Sequence, residues 1–224
     1  MTEYSPTTEA ERKFETYRHY LEYEATRLTS YIKLYRRLHE RRADRLDEMN
    51  LAPAFFSVAT DALFSAIVLW VDKLFDEHSE RGFFNFLTFI EYDRELLSIA
   101  ELQRRKGYPN GHWMLDRTAI TLESINEDRT RLRNLSCLEP FKLRRDKFHA
   151  HFDKDYFFER ERLSKEAPVT WSEVEDVIRT MSEIINHYSS AYDGRLFSLQ
   201  PMNINDLDYL LNRLHEARKR TNDS

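Results

Sequence analysis

Apolar and polar positions alternate with helical spacing along almost the whole chain. Phe14, Tyr17, Leu21, Leu28, Tyr31, Tyr35 and Leu38 recur at threes, fours and sevens, which predicts one long amphipathic helix, or two in tandem, over about 8–47. Asn50 and Pro53 mark a boundary, because proline is tolerated only in the first turn of the next helix. A second helix, over about 51–77, is apolar nearly all round from Ala62 to Val71, the pattern of a helix in the middle of a bundle. "FFNFLTFI" and "DRELLSIAELQRRK" read as one or two further helices, stopped by "GYPNG" at 107–111. Another is expected from about Asp116 to Leu138, on Ile120, Leu122, Ile125, Leu132 and Leu135. Thr170, with Glu173 three residues on and Gly194 as a stop, brackets a well-signalled helix, and Asn205 can cap a closing one.

Composition agrees with that pattern. The 224 residues include only 4 Gly and 6 Pro, which leaves few tight turns and argues against a hairpin-rich sheet protein. Apolar residues at 41% and aromatics at 13% suffice for a packed core. The expected architecture is all-α: a single helical-bundle domain over 28–224, with a helical N-terminal extension over 1–27. The single cysteine, Cys137, allows no internal disulfide and fits a reducing compartment. The opening "MTEYSPTTEAERKFE" lacks a basic segment followed by an apolar run, so a cytoplasmic location is expected. The stretch 51–71 is long enough for a membrane span, but Asp61 sits at its centre, where a charge costs ~2.5–3.5 kcal/mol. A buried helix is the better reading, and no membrane association is expected.

Net charge is −5, which gives no general attraction to nucleic acid. Its distribution is uneven. Between Arg129 and Lys154 eight Lys/Arg face three acids, a local +5 that leaves −10 elsewhere, and such a basic stretch is a candidate phosphate footprint. There is no Gly-rich phosphate loop, no CxxC pair and no GxSxG elbow. Within "RRDKFHAHFDK" at 144–154, His149, His151 and Asp153 have the HxHxD spacing of some metal hydrolases. On a helix His149 and His151 point about 200° apart, so no metal site and no cofactor are expected. An arginine near a histidine suits phosphodiester chemistry instead. Guanidinium grips phosphate bidentately, and imidazole moves protons near pH 7. On an ideal helix Arg144 coincides with His151 while Arg145 lies 240° from it, so either the helix distorts inside the motif or Arg144 is the working arginine. Asp61, Asp72 and Asp76 interrupt the most apolar helix and read as half-buried carboxylates paired with a local base.

With "RTRLRN" before it, "RRDKFHAHFDK" resembles the R-polar-x(n)-H signature of HEPN domains. The "RDK…AH.D" form, preceded by an apolar helix ending "LWVDKLFD", is most similar to abortive-infection proteins of the AbiU type. The resemblance covers about 28–190, and its specific motif is Arg145 to His151. It implies an RNA-cleaving toxin or antiviral effector: a metal-independent endoribonuclease that forms a two-fold homodimer, with paired motifs in one cleft. By that resemblance His151 acts as general acid and base, Arg145 neutralises the scissile phosphate, and Asp146 fixes the arginine. Arg144, His149 and Asp76 are supporting candidates, and Arg131, Arg133, Lys142, Lys147 and Lys154 are candidate RNA contacts. Two alternatives remain open: a non-catalytic RNA-binding or interaction module of the same fold, and a toxin held by a nucleotidyltransferase-type antitoxin protein.

Overall fold

A computed structural model describes residues 6–150, 165–201 and 203–222, leaving aside the side chains of 148–150 and 221–222. His151 and Lys154 therefore lie outside the described residues. The described residues are helices and turns, with no strand among them.

Helix α1 runs Glu9–Asp44 and opens on a capping box. Thr8 Oγ1 accepts from the Glu11 N–H at 3.1 Å, and Glu11 Oε2 accepts from the Thr8 N–H at 3.0 Å. The short α2, Leu46–Met49, turns the chain into α3, Pro53–Phe75, with its proline in the first turn. Then come α4, Phe83–Tyr92, a 3₁₀ turn at Arg94–Leu97, and α5, Ile99–Lys106. Gly107 ends α5 in the left-handed region at φ 65°, where a Cβ would be strained. A 3₁₀ turn at Trp113–Leu115 leads to α6, Leu122–Arg133, and α7, Leu138–Arg144. A π-helical turn, Arg145–Ala150, continues α7 directly. Helix α8, Trp171–Asp193, has the Thr170/Glu173 capping box and the left-handed Gly194 its sequence calls for. Helix α9, Asp206–Asn222, closes the described chain.

The main core gathers one face from each of α1, α3, α4 and α8. Phe14, Leu21, Leu28 and Ile32 of α1 meet Val68, Val71 and Leu74 of α3, Phe83, Phe86 and Leu87 of α4, and Met181, Ile184 and Tyr188 of α8. Each such side chain, fully removed from water, contributes about 1.5–3 kcal/mol. The expected boundary between residues 27 and 28 falls inside α1. The helix continues through it, and Phe14 and Leu28 lie in the same core. A second, small cluster joins Leu38, Met49 and Phe56 to Leu207 and Leu211 of α9.

Two expectations need correction. The helix expected to start near Asp116 starts at Leu122, after a Thr121/Ser124 capping box, and ends at Arg133; Ile120 is buried from the loop before it, while Leu122 is exposed. Helix α3 is not enclosed by the bundle. Its inner face is buried against α1 and α7, but Phe55, Val58 and Leu69 are 60%, 66% and 43% exposed. By length and composition it could cross a bilayer, yet Asp61 and Asp72 lie along it.

Candidate active-site cleft

The end of α3, the α3–α4 loop, α7 and the π-turn enclose a cleft of about 510 Å³. Phe75, Leu138 and Phe141 supply apolar wall, and Asp72, Asp76, Lys142 and Arg145 supply charge. The loop can fold back onto α3 because Gly82 has no side chain; a Cβ there would come within 2.8 Å of the Leu74 carbonyl oxygen.

Helix α7 gives way to the π-turn between the motif's two arginines, whose side chains take opposite roles. Consecutive residues on a helix point about 100° apart, so the two cannot share a face. Arg144 donates from Nε at 3.0 Å and Nη2 at 2.7 Å to the buried Ala167 carbonyl, and stacks over Phe64 at 5.3 Å. Burial lowers its pKa from the usual arginine value. Arg145 instead faces the cleft, 24% exposed. It donates from Nε at 2.7 Å to Asp146 Oδ1, which also lies 2.6 Å from Nη2, and forms a close ion pair through Nη1 with Asp72. The π-turn is the distortion that an ideal helix wheel omits, and π-turns recur at functional sites.

The charges around Arg145 are unbalanced. Burial pushes the Asp72 carboxyl up, Arg145 opposes that, and Asp76 and Asp146 push it up further. Burial works against the charge of Arg145, but the Asp146 hydrogen bond and the Asp72 charge hold its pKa above the usual value. Asp72 is thus raised chiefly by burial, with neighbouring carboxylates adding to it, whereas Arg145 is raised by the carboxylates it pairs with. Asp72 matches the expectation of a half-buried carboxylate with a local base; Asp61 is exposed.

Of the other candidates, Asp76, Arg133 and Lys142 also line the cleft. Asp76 Oδ1 accepts from the His78 backbone N–H at 3.2 Å at the cleft mouth. Arg133 crosses to Glu77 at 2.8 Å and stacks over Phe84 at 5.6 Å. Arg131 forms a close ion pair with Glu183 and reaches Asp128 at 3.3 Å, on another face. Lys142 is exposed at the cleft, and Lys147 is half-buried in the π-turn. His149 belongs to the same turn, but its side chain is not described. Among the described residues no three His, Cys, Asp or Glu side chains gather as a metal site. Among the polar lining residues, Asp72, Glu77, His78 and Glu139 escaped the sequence reading of the site. Asp72 left one signal, a charge inside an apolar helix. His78 left none.

The model of the HEPN family AbiU2 matches residues 11–215. That is wider than the 28–190 suggested by the motifs, and it takes in most of α1 and much of α9. No curated protein and no solved structure matches the chain significantly. With a match over that span, and an all-helical fold carrying Arg145 in a cleft, the chain belongs to the AbiU2 family of HEPN domains.

Proposed function

We propose that this chain is a metal-independent endoribonuclease of the abortive-infection type, acting in the cytoplasm on single-stranded RNA at the cleft of Arg145. The observation that carries the reading is the division between the arginines: Arg144 is engaged by a backbone carbonyl, whereas Arg145 presents its guanidinium to an open cavity. A guanidinium there can neutralise the charge that develops on a scissile phosphate. His151 removes the proton from the 2′-hydroxyl, the 2′-oxygen forms a bond to phosphorus, and the P–O5′ bond breaks. The leaving oxygen takes a proton, giving a 2′,3′-cyclic phosphate and a 5′-hydroxyl end.

One observation favours a second reading, a non-catalytic RNA-binding module or a toxin held silent by a partner: Arg145 already carries two carboxylates. Incubation with total RNA in EDTA separates the two. Cleavage is expected, and His151→Ala should abolish it with the helical circular dichroism unchanged. Activity lost in EDTA and restored by a divalent ion would require a metal mechanism. Binding without cleavage would leave the second reading.

A further inference from the structure

We infer that Asp72 is a built-in anion that competes with the RNA phosphate for Arg145, so that substrate binds by displacing it. This rests on Arg145 being the phosphate ligand of the proposed nuclease. A guanidinium has five N–H donors on three nitrogens. Asp146 lies against Nε and Nη2, and Asp72 takes Nη1, so each nitrogen already has a carboxylate partner. A bidentate grip on phosphate needs two N–H groups on one edge, and in this arrangement each edge borders a carboxylate.

The two carboxylates differ in how they are held. Asp146 neighbours Arg145 in sequence and is 41% exposed, so it can follow the arginine as it moves. Asp72 belongs to a different helix, 73 residues earlier, and is 23% exposed. It is anchored between Val71 and Leu74, which are buried in the main core. Arg145 therefore bridges the π-turn to α3, and one positive charge faces two negative ones there. An approaching phosphodiester adds a third negative charge unless Asp72 is displaced.

Asp72→Asn keeps the shape and removes the charge. The probe is a 2′-deoxy oligonucleotide, which lacks the attacking hydroxyl and stays intact, titrated calorimetrically into the full chain at low salt. Asp72→Asn should bind about two- to fivefold more tightly than wild type, the span of a partly exposed ion pair. The gain should vanish in the Arg145→Ala background, and Asp76→Asn should give a smaller one. Asp72→Ser serves if the asparagine variant misfolds. Equal or weaker binding by the neutral variants, or a gain that persists without Arg145, would overturn the inference. The two readings fail separately. Tighter binding with uncut RNA sinks the nuclease alone; cut RNA with no gain in binding sinks the competitor alone.

Discussion

Arg144 donates through two nitrogens to one buried carbonyl, that of Ala167, so its removal should register in stability rather than in chemistry. Arg144→Ala leaves that acceptor unpaired in the core, which costs about 1–3 kcal/mol. Arg145→Ala gives up only partly exposed ion pairs and should cost less than about 1 kcal/mol, while losing cleavage. Chemical denaturation and a cleavage assay on both variants measure the split. An Arg144→Ala chain that is inactive at wild-type stability would exchange the two roles. Arg131 and Arg133 belong to the same scale. Each is about half exposed in an ion pair, to Glu183 and Glu77 respectively, and such pairs are weak enough for a phosphate to replace. Replacing both with Ala should weaken RNA binding and flatten its logarithmic salt dependence by ~0.7 per lost contact on single strands.

Helix α9 is tied to α1 and α2 by a set of ion pairs, and these give it a response to acid. Arg37 and Arg41 meet Asp208 at 2.5 and 2.6 Å, His215 Nδ1 lies 2.6 Å from Glu48, and Arg218 lies 2.6 Å from Asp47. Only Leu207 and Leu211 join it to the small cluster as buried side chains. Hydrogen bonds from Arg41 and Arg37 hold the Asp208 carboxyl below the usual range, and His215 does the same for Glu48. A carboxyl depressed in the folded state contributes stability that is present above its unfolded pKa, near ~4, and is lost as pH falls through the folded value. Helix α9 should therefore loosen below about pH 4 while α8, buried in the main core, stays closed. Hydrogen exchange of the two helices at pH 6 and pH 3, corrected for intrinsic rates, measures this; equal protection of α9 at both would show that the small apolar cluster holds it.

Helices with local end signals were legible in sequence, as at Thr170, Glu173 and Gly194 around α8. Helix α6 was misread because Ile120 and Leu122 fit the periodicity, although one is buried from a loop and the other exposed. The free side of α3 was hidden for a related reason: a helix apolar all round has no polar face to reveal which side is left open. In the cleft, Arg145 was legible as half of a short motif, whereas Asp72 reaches it only through tertiary folding.

At the scale of the whole molecule, the exposed side of α3 bears on the two-fold dimer that the family resemblance implies. Phe55, Val58, Ala62, Ser65 and Leu69 are spaced alternately by three and four, the seam of a two-helix coiled coil. Phe55, Val58 and Leu69 are exposed, and Ala62 and Ser65 are small enough for close approach. The next positions in the same alternation are Asp72 and Asp76, so the seam runs into the cleft. A two-fold axis along α3 pairs the helices in parallel and sets two clefts side by side. An antiparallel pairing centred on Ala62 would separate the Asp76 ends by about 40 Å, at 1.5 Å per residue. With the whole seam in use, a shared site, in which one protomer's imidazole removes a proton and the other's returns one, therefore calls for the parallel arrangement. Val58→Cys tests it. The chain's own Cys137 is buried, with its thiol pushed up to about 12, so under mild oxidation it should stay out of the cross-link. Parallel pairing predicts a Val58→Cys disulfide between copies, with cleavage retained. Val58→Asp places like charges across the seam and should give an inactive monomer by sedimentation. Mixing Arg145→Ala with His151→Ala chains should recover part of the activity if the cleft is shared. A Val58→Asp monomer that cleaves RNA at the wild-type rate would mean that one chain completes the site alone.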